Sequence, residues 1–175
     1  MDSRQGSIEG AAVQLSHQLP RLFLVTRREV VSQPRFVERA AAALLAGGRG
    51  CALQLRAHGL KGRSYWEIAL QVADAARDAG AQLWINDRID IAAAVRADGV
   101  QLGAASLPTE EARRILGHSA WIGRSVHSAE DALRALDSGA DLALLGHVYP
   151  TSTHPGATPL GLDEVRGAAG RPVVG

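Results

Sequence analysis

The feature that most constrains the fold of this chain is a regular alternation between short apolar runs and longer segments with a helical pattern. Seven apolar runs are typical of strands, and six helical segments separate them. The predicted strands cover residues 22–26, 51–56, 82–87, 98–103, 120–124, 141–146 and 171–175, and the predicted helices cover residues 34–46, 64–79, 89–97, 109–116, 129–138 and 162–169. Strands that alternate with helices build βα units, which predict a parallel sheet.

Two parallel architectures fit this alternation. A doubly wound sheet has fewer such units and usually carries a glycine-rich fingerprint after its first strand, which residues 26–29 (Thr-Arg-Arg-Glu) lack. We therefore predict an α/β fold, a (β/α)8 TIM barrel that is C-terminally incomplete in this chain because the pattern stops near strand seven. Residues 1–18 are polar without a sustained period, so we expect a disordered tail before a barrel domain at 19–175.

The charge and cysteine content excludes several classes of function. Nineteen basic and eighteen acidic residues nearly cancel, and aromatic residues make up 4% of the chain. We therefore expect no nucleic-acid or membrane partner. The single cysteine, Cys51, cannot form an internal disulfide and is expected to be a small buried side chain. No signal peptide or long apolar segment is found, so a cytoplasmic location is expected, with a homo-oligomer left open.

Polar side chains follow most of the predicted strands. The carboxyl ends of parallel strands meet at one edge, so these side chains should line one mouth. Without a dense carboxylate cluster, they suit an anionic small ligand, and no zinc-binding spacing is present. Arg56 could instead be salt-bridged, Gln54 could only close a hydrogen-bond network, and Thr151 and Thr153 could only form turns. The proposed binding residues are Gln54, Arg56, Asn86, Arg124, Ser125, His147, Thr151 and Thr153.

Residues 121–128 contain several polar and ionisable side chains directly after a short apolar run. The run ends at Gly123, and a helical pattern begins at Ala129. Ser128 is expected to be the N-cap of that helix. His127 lies where a proton-transfer residue would be placed in a barrel. The alternative is that its ring only hydrogen-bonds the loop.

Several of these segments together resemble the superfamily of thiamine-phosphate synthases and TenI-like thiazole tautomerases. The resemblance runs in order from about residue 22 to residue 175 and rests on the segments 25–26, 54–56 (Gln-Leu-Arg), 85–88 (Ile-Asn-Asp-Arg), 98–103, 123–128, 139–141 and 146–151. It implies a barrel that binds a phosphorylated thiazole. The Gln-Leu-Arg and Asn-Asp-Arg motifs identify the superfamily and do not separate its branches.

Three departures favour the tautomerase branch. The resemblance implies that a synthase has Lys where this chain has His58, a magnesium-binding Asp where it has Ser106, and Ser-Thr-His where residues 124–127 are Arg-Ser-Val-His. A neutral hydroxyl is a poorer magnesium ligand than a carboxylate. His147 after Gly146 also resembles the tautomerases. In contrast, residues 150–153 resemble the synthase loop, with His154 where its Lys is expected, and Asp87, the other synthase magnesium ligand, is retained.

We therefore predict from the sequence an isomerase, a thiazole tautomerase that aromatises a carboxythiazole phosphate without a cofactor. The resemblance implies that His127 is catalytic and carries the proton, because a His that titrates near neutral pH can accept and return it. One alternative is thiamine-phosphate synthase, a transferase that would need Mg²⁺ and would use Asp87 as a ligand. The other is a non-catalytic regulatory paralogue.

Overall fold

The computed structural model describes residues 18–151, 156 and 158–174, and its strands form one sheet. The strands are β1 (Leu22–Val25), β2 (Cys51–Leu55), β3 (Gln82–Asn86), β4 (Gly99–Leu102), β5 (Trp121–Val126), β6 (Leu142–Leu145) and β7 (Val173–Val174). The helices are α1 (Arg28–Val31), α2 (Phe36–Gly47), α3 (Gly62–Ala79), α4 (Ile89–Val95), α5 (Thr109–Leu116), α6 (Ala129–Asp137) and α7 (Leu162–Gly167). The predicted tail, apart from Gln18, lies outside the described residues.

The sheet is parallel throughout, with the strands in chain order from β1 to β7. This confirms the predicted βα alternation and the α/β class. Within the described ranges the sheet contains seven strands, so the eighth strand of the predicted barrel is not part of what the structure shows.

One face of the sheet is covered by the helices. Leu53 and Leu55 of β2, with Ile85 of β3, pack into a buried cluster that also holds Leu44 of α2 and Val72 of α3. These positions alternate with inward-facing ones because successive side chains of a strand point to opposite faces. The helices therefore pack against the side chains on one face of each strand, and the side chains on the other face point into the interior of the curled sheet.

The opposite, concave face closes around Trp84 of β3. A Cβ at Gly99 of β4 would lie 2.5 Å from the Trp84 ring, and a Cβ at Gly123 of β5 would lie 3.0 Å from it, so the indole fits only between two glycines. The ring of Phe23 on β1 meets Trp84 edge to face at 5.0 Å. Leu142 of β6 belongs to the same buried cluster. Side chains from β1 and β6 meet here, so the sheet is curled.

The ends of two helices test the capping predictions. Ser128 Oγ accepts a hydrogen bond from Asp131 N at 3.0 Å, which confirms the predicted cap of α6. The Ser64-x-x-Glu67 pattern predicts a capping box at the start of α3, but α3 begins at Gly62. Glu67 instead accepts from Nε of Arg63 at 2.9 Å. Within the part of the chain that the structure describes, no helix is long and apolar enough to cross a membrane.

Candidate functional site

A cavity of about 700 Å³ opens at the carboxyl ends of β1 to β6. It is bounded by strand-end and loop residues of the same inward-facing set that surrounds Trp84. The sequence-predicted residues that line it are Gln54, Arg56, Asn86, Asp87, Ser125, His127, His147 and Thr151. The structure thus brings most of the predicted site together at one mouth.

Two hydrogen-bonded pairs that connect neighbouring strands form the base of the cavity, and Gln101 is the member that does not line it directly. Gln54 Nε2 on β2 donates to Asn86 Oδ1 on β3 at 2.9 Å. Gln101 Nε2 on β4 donates to Ser125 Oγ on β5 at 2.9 Å. In the first pair, each side-chain amide uses one of its two polar groups. Gln54 Oε1 therefore remains to accept a hydrogen bond from a ligand, and Asn86 Nδ2 remains to donate one. The floor is therefore neutral and polar, and it is held rigid by the sheet.

The lowest part of this floor is tightly packed around Gln101, a polar residue at the end of a predicted strand that was not among the proposed binding residues. A Cβ at Gly123 would lie only 2.1 Å from Gln101 Oε1. Gln101 is buried, and it holds the Ser125 hydroxyl in place. Its signal in the sequence was its position two residues after Gly99, on the inward-facing side of β4.

Asp87 and Ser106 form the polar rim on one side of the cavity. Asp87 follows β3 in a left-handed backbone conformation, with φ 67°. Ser106 Oγ donates to Asp87 Oδ1 at 2.6 Å. The neighbouring Arg88 does not compete, because its Nε donates to Asp90 Oδ1 at 2.8 Å. That hydrogen bond from Arg88 is the main cause that lowers the pKa of Asp90.

These two residues allow a test of whether the site fits a magnesium ion. No three His, Cys, Asp or Glu side chains among the described residues lie close enough together to hold a metal ion. Mg²⁺, however, commonly binds through one or two carboxylates together with substrate phosphates and water. Asp87 and Ser106 offer one carboxylate and one hydroxyl. They therefore fit an ion that arrives with a phosphorylated substrate and do not form a complete cage.

Two basic side chains lie on the adjacent part of the rim, beside Asp87. Arg56 follows β2, and His58 follows it on the β2–α3 loop. The alternative reading of Arg56 as a salt-bridged residue does not hold, since no ion pair of Arg56 is found in the described ranges. The rim therefore offers positive charge next to a neutral floor.

His127 is exposed at the edge of the cavity, beside the end of β6. Its Nδ1 lies 2.6 Å from the carbonyl oxygen of Gly146. Because a carbonyl oxygen only accepts, Nδ1 carries the proton and Nε2 is the ring atom left for other contacts. The ring thus makes the loop hydrogen bond that we considered as the alternative to a catalytic role.

Two of the predicted binding residues are not placed in the cavity. Arg124 points to the helical side, where its Nη1 donates to the carbonyl oxygen of Leu107 at 3.1 Å. The reason is that β5 continues to Val126, so strand alternation turns Arg124 away from the face that Gly123 and Ser125 share. Thr153 lies outside the described residues.

The chain is similar in sequence to several proteins named thiamine-phosphate synthase. A thiamine-phosphate synthase of Gloeobacter violaceus is 40% identical over 146 residues, which are 83% of this chain and 41% of that relative. A thiamine-phosphate synthase of Thermus thermophilus is 41% identical over 152 residues, which are 86% of this chain and 72% of that relative. The chain thus spans less than half of the first relative and nearly three quarters of the second.

A solved structure agrees with these relatives. The thiamine phosphate pyrophosphorylase from Pyrococcus furiosus superposes with a TM-score of 0.73 at 35% identity, over 87% of this chain and 72% of that chain.

These findings overturn the prediction of an isomerase. Both of these curated relatives are named thiamine-phosphate synthase and not thiazole tautomerase. The tautomerase prediction depended on a few loop positions, mainly 58, 106 and 124–127, whereas the identity to synthases extends over more than four fifths of the chain. The proton transfer of a tautomerase that was assigned to His127 is wrong with it, whereas a catalytic part for His127 in another reaction stays a prediction.

The superfamily assignment, in contrast, is confirmed. The family model described as thiamine monophosphate synthase matches residues 22–172, which include every strand up to the beginning of β7. The residues that build the cavity floor and both rims lie inside this match. The chain belongs to the thiamine monophosphate synthase family.

Proposed function

We propose that this protein is a thiamine-phosphate synthase, a transferase that joins a pyrimidine diphosphate to a phosphorylated thiazole and releases diphosphate. The observation that carries the proposal is that sequence and fold match this family over the same residues that build the cavity. The phosphorylated thiazole is thus the small-molecule partner in this proposal, as it was in the sequence prediction.

The reaction makes demands that the cavity can meet. The thiazole nitrogen supplies an electron pair to the methylene carbon of the pyrimidine, and a C–N bond forms while the C–O bond to diphosphate breaks. Diphosphate leaves with the electron pair of that bond, and the thiazole ring becomes a thiazolium cation. No proton moves in this step, so the site needs orientation and charge compensation more than an acid or a base.

The floor of the cavity is suited to orientation. The Gln54–Asn86 and Gln101–Ser125 pairs are each held at 2.9 Å. They keep free hydrogen-bonding groups directed at a heterocycle without adding charge to the place where the cation develops. Binding to rigid polar groups of this kind costs little free energy for ordering side chains, because they are already held in place.

The two rims are suited to the leaving diphosphate. Arg56 and His58 lie on the rim after β2, and Asp87 and Ser106 lie on the adjacent rim after β3 and β4. We propose that Asp87 and Ser106 hold Mg²⁺ together with diphosphate oxygens, in agreement with the fit described above. When bound, the ion would neutralise charge on the departing diphosphate.

The direct test is an assay of thiamine phosphate and diphosphate formation from the two substrates with Mg²⁺. Wild-type protein should form both products in equal amounts. Asn86→Leu should lose most of this activity because it breaks the pair with Gln54 and removes the free amide. Arg49→Gln, on an exposed arginine before β2, is the matched control and should keep it.

The same assay distinguishes the proposed synthase from the remaining alternative, a non-catalytic paralogue. Binding of the thiazole phosphate by folded protein without any product would contradict the proposal and favour the non-catalytic regulatory paralogue.

The complete eight-stranded barrel is likewise a proposal, supported by the curled parallel order of β1 to β7. The expected cytoplasmic location and the homo-oligomer stay predictions.

A further inference from the structure

A second cavity, of about 490 Å³, lies next to the first on its cationic side. We call it the arginine pocket, and it is lined by Arg27, Arg28, Glu29, Arg56 and His58. Arg56 and His58 also line the central cavity. The two cavities therefore share a wall, and a ligand with a long anionic group can occupy both.

The position of Arg27 follows from a hydrogen-bonded connection between the ends of β1 and β2. The Thr26 hydroxyl accepts from Arg56 N at 2.9 Å and donates to Arg56 O at 3.1 Å. Thr26 N also donates to Gln54 O at 3.0 Å. Thr26 is buried, so the connection is rigid and holds Arg27, the next residue, beside the end of β2.

The position of Arg28 follows from its contact with the β2–α3 loop. A Cβ at Gly59 would lie 2.9 Å from Nη1 of Arg28, so the guanidinium covers this glycine. Gly59 has φ 79°, a conformation that glycine adopts without strain. The first loop thus brings two arginines to the loop that carries His58.

The charge in the arginine pocket is not compensated by the protein. Three guanidinium groups and an imidazole face one carboxylate, that of Glu29. None of these arginines forms an ion pair within the described ranges, whereas nine arginines elsewhere in those ranges do. Converging cations repel one another, and a bound anion with several oxygens removes that repulsion.

We propose that Arg27 and Arg28 extend the substrate site, so that the arginine pocket binds a diphosphate group in preference to a single phosphate. The identity of that group rests on the proposed function, while the binding itself rests on the geometry. Cations from two separate loops surround the pocket, and this suits two phosphoryl groups better than one. Arginines bind such groups through two parallel N–H donors.

The test is a calorimetric titration with inorganic diphosphate and, separately, with inorganic phosphate, without divalent ions. Wild-type protein should bind diphosphate more tightly than phosphate. Arg27→Gln and Arg28→Gln should each weaken diphosphate binding by about tenfold. Both arginines are exposed and make no side-chain hydrogen bond within the described ranges, so folding should be unaffected; circular dichroism checks this. Arg49→Gln is the control, because Arg49 is exposed at the opposite end of β2.

Two results would overturn the inference: unchanged diphosphate affinity in the Arg27 and Arg28 variants, or an equal loss in the Arg49 variant, which would indicate only a general charge effect. The product assay separates this from the proposed function. If the variants lose diphosphate binding and wild-type protein makes no thiamine phosphate, the pocket stands and the synthase proposal falls. If wild-type protein is active and the variants bind diphosphate normally, only the pocket falls.

Discussion

The Ser106 hydroxyl donates to Asp87 Oδ1 across 2.6 Å and accepts from the backbone N–H of Gly103 at 2.7 Å. Ser106 therefore stands directly beside the one carboxylate on this rim. An aspartate at position 106 would place a second carboxylate beside Asp87, where the Ser106 hydroxyl now donates a hydrogen bond. The metal affinity of the free protein should depend on this one side chain.

We predict that Mg²⁺ binds weakly to the wild-type protein until diphosphate is added. Ser106→Asp should increase the Mg²⁺ affinity measured without diphosphate by about tenfold or more, because hard cations prefer charged oxygen ligands. Calorimetry with Mg²⁺ alone measures this, and Ser106→Ala is the control that should show no increase. Micromolar binding of Mg²⁺ to wild-type protein without diphosphate would contradict the prediction.

The packing around Trp84 predicts a large cost for a single added methyl group. Gly99→Ala would place Cβ 2.5 Å from the indole, which is fully buried. Overpacking of this kind typically costs about 1–3 kcal/mol. Urea unfolding of Gly99→Ala should show this loss, while Gly50→Ala, where nothing lies within 4 Å of the added Cβ, should stay much closer to wild type. Equal stability of the two variants would mean that Trp84 is not held as described.

The Asp98 and Asp141 carboxylates each bind back to an earlier strand. Asp98 Oδ2 accepts from Leu83 N at 2.8 Å, and Asp141 Oδ2 accepts from Ile122 N at 2.7 Å. Asp141→Ala should lower the free energy of unfolding by about 1–3 kcal/mol, because it leaves the Ile122 N–H and the guanidinium of Arg113 without this partner. Asp137→Ala removes only an exposed pair with Arg171 and should cost less than about 1 kcal/mol. Thermal unfolding of both variants compares them, and a larger loss for Asp137→Ala would refute this account.

The cap of α6 predicts a pH-dependent effect. Ser128→Ala should cost about 1 kcal/mol at neutral pH because the Asp131 N–H loses its acceptor. Hydrogen bonds, first from Arg134 and then from Ser128, lower the pKa of Asp131. A carboxylate with a lowered pKa contributes fully to the stability of the folded state above its unfolded pKa, about 3.9. This contribution is lost as the pH falls through the lower folded pKa.

The penalty of Ser128→Ala should therefore be smaller at about pH 3 than at pH 7, since part of it depends on the ionised Asp131 carboxylate. Denaturant unfolding at both pH values measures the difference. Ser138→Ala, at the other end of α6, is the control and should show no such dependence. A penalty that grows toward low pH would contradict the assignment.

Local patterns were sufficient to predict the strands and most of the cavity. Gln54, Asn86 and Ser125 could be placed because strand alternation and the common edge of a parallel sheet are properties of the backbone. Arg124 was misplaced because β5 runs on to Val126, beyond residue 124, where the predicted strand ends. Pairing of Ser125 and Val126 with β6 extends the strand, and this partner is not adjacent in the sequence.

The branch of the family was also beyond the reach of local motifs. His58 and Ser106 looked like the loss of a cation and of a metal ligand when each was considered in its own segment. The sequence by itself determined the alternation of βα units, the cap at Ser128 and the polar residues at strand ends. Only the tertiary structure placed Arg27 and Arg28 beside Arg56, because the hydrogen bonds of Thr26 join two loops about thirty residues apart.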